Sequence, residues 1–328
     1  MGKVNFNLGY KKSKPDSRDF NYHFNKYFKL IEKLPDSVNL EQYLPPTLDQ
    51  GDAGSCVFNS GVLQQEFYQI FNPSPVPNPV PPTPTPTPTP DPMGCLTSFI
   101  NALPGLRAKN KSLAKFVNAQ PVLWQSILSE TKLSSSAASY TPLSRLFWYY
   151  IVRVLEGDVN QDGGAEPRDA WKLLAQNGIC SEALWGYDLT KLYTKPSQNC
   201  YTAATWKITS YHTVSDPNGN IANELTNIQQ ALASNNVIQL GFTVYSSFMD
   251  DGWINSTGVM PIPASGEEVE GGHAVCVYGY DANYLYIRNS WGASWGKFNG
   301  DFKMPISFLS HKDSDGTLSV SDLWVIQP

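Results

Sequence analysis

Charge is scarce in this chain and neither sign dominates: 24 Lys and Arg stand against 29 Asp and Glu, 16% of 328 residues, for a net charge of −5. That balance lacks the basic footprint on which nucleic-acid binding rests, so no nucleic-acid partner is expected. The one basic grouping, Arg107, Lys109, Lys111 and Lys115, reads as a solvated face. Histidines number four and cysteines five, with no CxxC spacing, which disfavours a zinc site and a disulfide framework alike. No metal or cofactor is called for. If the chain is oxidised, Cys180 and Cys200 are the candidate pair. Cys276 reads as a buried apolar thiol on the strand face opposite His273. No apolar run is long enough to cross a membrane, and Met1-Gly-Lys-Val-Asn-Phe6 has neither the h-region of a signal nor the Ser or Thr a myristoylation motif needs. Unpaired cysteines without a signal lead us to expect an intracellular setting and no membrane partner.

Apolar residues, by contrast, are plentiful: 41% are hydrophobic and 12% aromatic, enough for a sizeable core. Proline is abundant, with 25 residues, and concentrated in one place. From Asn72 to Pro92 the chain is Pro-rich, with a Pro-Thr repeat over 82–90, a semi-rigid linker rather than core. Residues 93–140 follow with short helical patterns, Leu113/Phe116/Val117 and Leu123/Trp124/Ile127/Leu128, too small to stand alone. Together, 72–140 is read as an insertion and a candidate partner-binding segment, with a tolerated surface insertion carrying about equal weight. Residues 1–33 are expected to be an N-terminal extension, either a short pro-like segment or one that packs into a cleft, and 34–328 the main domain.

Chemistry is concentrated in four residues. After Cys56 the apolar positions Phe58, Val62, Leu63, Phe67, Ile70 and Phe71 keep helical spacing until Pro73. The spacing predicts a buried helix with Cys56 in its first turn, where unpaired amides and the positive dipole end favour a thiolate. Gly51 and Gly54 relieve the backbone between Gln50 and Cys56, letting the Gln50 amide and the Cys56 N–H converge on a developing oxyanion. Downstream, His273–Gly279 and Tyr284–Asn289 are β-prone runs around Tyr280-Asp-Ala-Asn283, a predicted hairpin. A ladder centred on Asp281 and free of bulges would pair Val277 with Leu285, Val275 with Ile287 and His273 with Asn289. Asn289 would then orient the imidazole. A nucleophile, an oxyanion donor, a base and its orienting group together make a cysteine hydrolase.

These residues resemble the papain-like cysteine peptidase family. Leu34-Pro-Asp-Ser-Val38 is similar to the start of that family's mature domain, Asn177–Glu182 through Trp185–Asp188 to the segment after its glycine pair, and Asn289-Ser-Trp-Gly-Ala-Ser-Trp-Gly296 to its asparagine signature. Leu143–Tyr150 is most similar to the branch found in bacteria and large DNA viruses, which would place a viral member in host cytoplasm or virion. The resemblance covers about 34–71 and 141–327. It implies an α+β fold of two lobes, a helical one carrying the nucleophile helix and an antiparallel β-rich one, with a cleft between. It further implies that Gly163, Gly164, Ala274 and Trp291 line the substrate cleft, Gly164 bonding the substrate backbone and Trp291 shielding the Asn–His pair.

His273 and Cys56 stand 217 positions apart, beyond the roughly 130–150 of the family. Removing the 69 residues of 72–140 leaves 148, inside the range. Two positions depart from the pattern: Ala53 replaces a cysteine, and Val57 a tryptophan. The expected activity is hydrolysis of protein or peptide substrates, with the lack of a His-His occluding pair favouring an endopeptidase. The alternatives are a catalytically inactive papain-fold binding module and, less favoured, a transglutaminase-like acyl transferase.

Overall fold

A computed structural model describes residues 7–14, 16, 31–72 and 140–328. The chain divides into two units, 1–72 with 140–328 and 73–139. Nearly all of the insertion called at 72–140, and most of the extension called at 1–33, lies outside the described residues.

Helix α1, Cys56–Phe71, starts and ends where the apolar spacing predicts. Every residue from Cys56 to Tyr68 is buried, so the helix is enclosed on all sides and its polar residues must be satisfied internally. They largely are: Gln64 Nε2 donates to the carbonyls of Val237 (2.7 Å) and Trp324 (2.9 Å), and Gln239 Nε2 to that of Val57 (2.8 Å). Packed on α1 are α2, Arg145–Glu156, and α3, Pro167–Asn177. The Ser144 hydroxyl caps α2 by accepting from Phe147 N, Gly157 ends it in the left-handed conformation, and Pro167 starts α3. Gly61 makes room for aromatic side chains of both neighbouring helices, Trp148 and Trp171. A Cβ there would lie 2.6 Å from the Trp148 ring, so Gly61→Ala is expected to cost about 1–3 kcal/mol of stability, read as a lower urea midpoint. An unchanged midpoint would mean the Trp148 ring can move aside.

The second lobe is a seven-stranded sheet whose mapped pairings are all antiparallel. Its strands are β1 (Val38–Asn39), β2 (Ser210–Thr213), β3 (Ile238–Tyr245), β4 (Val269–Tyr280), β5 (Tyr284–Arg288), β6 (Asp301–Pro305) and β7 (Val320–Gln327). They run in the order β2-β7-β3-β4-β5-β6, with β1 on β4. Alternating strand side chains and the enclosed helix share one apolar core, which gives the α+β two-lobed arrangement.

The β4–β5 hairpin forms, but not in the expected register. Tyr280 pairs with Leu285 and Gly279 with Tyr286, and after a bulge Val277 pairs with Ile287 and Cys276 with Arg288. The Asp281 carboxylate accepts from the amides of Asn283 (2.8 Å) and Tyr284 (2.9 Å), closing the turn beyond Asp281 rather than around it. His273 and Asn289 are therefore not directly opposed, and β5 ends one residue before Asn289.

Candidate active site

Strand β4 and the chain after β5 still bring the two residues together. His273 Nε2 lies 2.7 Å from Asn289 Oδ1, which also accepts the Ser290 amide at 2.8 Å. Because that oxygen only accepts, Nε2 is the protonated ring nitrogen. Nδ1 makes no hydrogen bond among the described residues, which leaves its lone pair available as a base. The Trp291 ring stacks on the imidazole at 4.8 Å and 29°, and Trp295 closes on Trp291 edge-on at 5.0 Å. The shield expected at Trp291 is thus built of two tryptophans.

The loop before α1 is stitched to the other lobe. Gln50 N donates to Ser290 O at 2.8 Å and Gly292 N to Leu48 O at 3.0 Å. The Gln50 side chain is buried, with Oε1 accepting the Ser290 hydroxyl at 2.6 Å. Holding the oxygen in this way fixes the amide so that Nε2 serves as a donor, here to the carbonyls of Ala53 (3.0 Å) and Asn7 (3.1 Å). Asp162 pins the same loop by accepting from Gly54 N at 3.0 Å.

Cys56 occupies the first turn of α1 and has no solvent exposure. Its thiol is met by the backbone amides of Ala274, the neighbour of His273, and of Gly9. Burial nonetheless dominates the helix-terminus effect and pushes the thiol up to about 11, while burial pushes His273 down to about 4. In this covered arrangement the thiol and the imidazole are both neutral.

What covers it is residues 7–11. Ala165 N donates to Gly9 O at 2.9 Å and Lys11 N to Ala165 O at 3.0 Å, a parallel pairing of Tyr10 with Ala165, while Tyr10 N donates to Gly272 O at 3.1 Å. Lys11 Nζ ties the segment down between Glu156 (2.8 Å) and Asp158 (2.6 Å). The resemblance marks Gly164 as the residue that bonds a bound backbone; against this segment Ala165 does so instead. Gly164 N donates to the Tyr149 hydroxyl at 3.0 Å, and the glycine's contribution is space, since a Cβ would fall 1.9 Å from Gly9 O. A Cβ on Gly163 would meet only ordinary contacts, with Asp158 Oδ2 at 3.5 Å and Lys11 Nζ at 3.7 Å. Sequence reasoning did not single out Ser290, Ala165, Gly272 or Asp162, because their roles come from backbone positions or pairings far away in the chain. Among the described residues no cluster of His, Cys, Asp and Glu could hold a metal, and no helix is long and apolar enough to cross a membrane.

Linkage sets a pH window for the covered state. A histidine depressed by burial stabilises the closed form fully above its ordinary 6.5, and that contribution is lost as pH falls towards about 4. A thiol raised by burial stabilises it below its ordinary 9.0, and that is lost as pH rises towards about 11. Amide exchange at Tyr10 and Lys11, corrected for intrinsic rate, is expected to quicken below pH 6.5 while amides inside α1 stay protected. Equal protection at pH 4.5 and 7 would show that His273 does not titrate with opening.

Comparison with known proteins agrees with this architecture. Residues 156–308, which hold His273 and Asn289 but not Cys56, match the model of the papain family of cysteine proteases. The chain is 36% identical over 188 residues to a peptidase C1-like protein of Acanthamoeba polyphaga mimivirus, covering 56% of this chain and 58% of that protein. It is 30% identical over 178 residues to a cathepsin B-like protein of Giardia intestinalis, covering 52% and 54%. The match thus spans a little over half the length of these curated relatives. Among solved structures, xylellain, a cysteine protease from Xylella fastidiosa, matches over 100% of this chain and 98% of its own, with 27% identity and a TM-score of 0.67. A bacterial structure and a viral sequence are the two sources that the Leu143–Tyr150 wording points to. Sequence, fold and the arrangement of Cys56, His273 and Asn289 agree: this chain is similar to the papain-like cysteine peptidases, and its residues 156–308 match that family's model.

Proposed function

We propose that this chain is a cysteine peptidase that hydrolyses internal peptide bonds of protein substrates through an acyl-enzyme on Cys56. One observation carries the reading: His273 is held by Asn289 through Nε2, with Nδ1 left over, next to the residue whose amide meets the Cys56 thiol. Once the cleft is open to water, His273 Nδ1 takes the thiol proton and the sulfur attacks the substrate carbonyl carbon. Gln50 Nε2 and the Cys56 N–H receive the charge that develops on its oxygen. The imidazolium then passes its proton to the departing amine, breaking the C–N bond. Water, deprotonated by His273, attacks the thioester and releases the acid and the thiol.

Residues 7–11 act as a built-in cover in this reading. They fill the cleft, occupy the Gln50 donor with the Asn7 carbonyl and leave the thiol un-ionised, so activity requires their displacement.

The test is turnover of a fluorogenic peptide library together with mass-spectrometric mapping of a thiol-alkylating label. It is run in the wild-type chain and in one carrying Gly9→Val to displace the cover. Cys56→Ala is expected to abolish both signals while leaving the unfolding midpoint unchanged. Label that persists at Cys180 or Cys276 with turnover intact would remove Cys56 from the chemistry. Products cut only at peptide termini would replace endopeptidase with exopeptidase.

A further inference from the structure

The two groups that receive the developing charge in the mechanism above, Gln50 Nε2 and the Cys56 N–H, stand at the two ends of one short loop. Four side chains hold both ends of it. Tyr187 Oη donates to the Gln50 carbonyl at 2.9 Å and lies 2.5 Å from Ser55 Oγ. Asn59 Nδ2 donates to the Ser55 carbonyl and to Ser55 Oγ, each at 2.9 Å. Arg145 Nη1 in turn donates to Asn59 Oδ1 and, at 3.0 Å, to the Asp49 carbonyl. The Arg145 guanidinium also lies 3.7 Å over the centre of the Tyr187 ring, so the ring of contacts closes on itself.

Chemistry fixes the direction of every bond in it. A guanidinium only donates, so Asn59 presents its oxygen to Arg145 and its N–H groups to Ser55. Tyr187 gives its one proton to the Gln50 carbonyl, so the Ser55 hydroxyl donates to the phenol oxygen. The chain runs one way, from a cation to a carbonyl, and each bond polarises the next. Ser55, Asn59 and Arg145 are buried, where that polarisation is least screened. Burial holds the Tyr187 phenol above its ordinary value, which keeps the proton on its oxygen.

Peptide planarity turns these contacts into aim. The Ser55 carbonyl and the Cys56 N–H belong to one rigid peptide unit, so holding the carbonyl with Asn59 sets the direction of the N–H. The Gln50 main chain is gripped on both sides, its N–H by the Ser290 carbonyl and its carbonyl by Tyr187. Contact between Tyr187 and Ser55 ties the two ends together and so sets the spacing of the two donors. We propose that Tyr187 is a positioning residue for the oxyanion hole, acting through Ser55 and Gln50 and itself held by Asn59 and Arg145. This inference rests on the peptidase reading above, and its test keeps the two apart.

Tyr187→Phe keeps the ring under Arg145 and removes only the hydroxyl. In the chain uncovered by Gly9→Val, it is expected to lower kcat on a fluorogenic peptide about ten- to a hundredfold with KM little changed. That is less than the loss of a donor outright, because the donors are misplaced and not removed. Two reactions of the Cys56 thiol, followed at that residue by mass spectrometry, add a readout that general loosening would not give. Acetyl-Leu-Leu-norleucinal adds to the thiol: sulfur bonds the aldehyde carbon, the C=O π bond breaks, and the thiol proton passes to the oxygen that the donors face. Iodoacetamide alkylates the same sulfur by displacing iodide, and no oxyanion forms. Aldehyde affinity, read as protection from iodoacetamide, is expected to weaken about ten- to a hundredfold in Tyr187→Phe, while alkylation without aldehyde stays within about twofold. An unchanged kcat, an unchanged aldehyde affinity or an aldehyde that fails to protect even the parent chain overturns the proposal. So does alkylation that slows as far as aldehyde binding weakens, which marks a loosened site. No turnover of any peptide, with aldehyde affinity still dependent on Tyr187, would sink the peptidase reading and leave the positioning role standing. If Tyr187→Phe does not fold, Asn59→Asp, which keeps the acceptor for Arg145 and loses both donors to Ser55, is held to the same outcomes.

Discussion

Gly9→Val is expected to raise the alkylation rate of Cys56 by about ten- to two-thousandfold in this chain. The segment lies backbone against backbone on the loop before α1: a Cβ on Gly9 would fall 1.8 Å from Gly54 O. A contact that short with a carbonyl oxygen cannot be relieved by rotating a side chain, so the segment itself must lift. Lifting it breaks the three backbone hydrogen bonds that Gly9 O, Tyr10 N and Lys11 N make with Ala165 and Gly272. At about 0.5–1.5 kcal/mol each, these account for the range given. Removing the cover also returns water to Cys56 and reverses the desolvation that holds its thiol up at about 11. Both effects act in the same direction. Lys11→Ala, which removes the ion pairs to Glu156 and Asp158, is the milder control; because Lys11 is partly exposed, a rise of a few-fold is expected. Identical alkylation rates in wild type and Gly9→Val would show that the segment does not close the cleft in solution.

In the uncovered chain, His273→Ala is expected to lower kcat by about a hundred- to ten-thousandfold, the span that general acid–base catalysis supplies. Asn289→Ala removes no reacting group. It frees the ring that the 2.7 Å bond to Nε2 now orients, so kcat is expected to fall about ten- to a hundredfold while KM changes little. Trp291, stacked on the same ring, keeps part of the orientation and sets the smaller loss. Steady-state kinetics on a single fluorogenic peptide decides the matter. A rise in KM with kcat unchanged would make Asn289 a substrate contact rather than a positioning residue.

Which features were legible beforehand follows from their physics. Helix α1 was readable from its first residue to its last because its signal is local: apolar spacing, a leading glycine loop and a proline stop all lie within about twenty residues. The hairpin was legible as a hairpin, but its register was not. Where the Asp281 carboxylate closes the turn, and whether a bulge interrupts β4, depend on hydrogen bonds the β-propensities of the strands do not encode. His273 and Asn289 were rightly named as partners on a pairing that proved wrong. The imidazole and the amide meet across an offset that the ladder did not align.

The order of residue types along this chain determined its chemistry: a cysteine at a helix start, a glutamine before it, and a histidine and an asparagine on β-forming segments far downstream. Reactive groups are defined by composition and local conformation, which a linear string records. Only the folded molecule decided the state in which that chemistry is held. The cover of residues 7–11, the Ser290 grip on Gln50, and the Tyr187 bond to the Gln50 carbonyl all join positions more than 40 residues apart. Burial, which turns a thiolate site into a neutral thiol, is a property of everything packed around an atom, and no short stretch of sequence carries it.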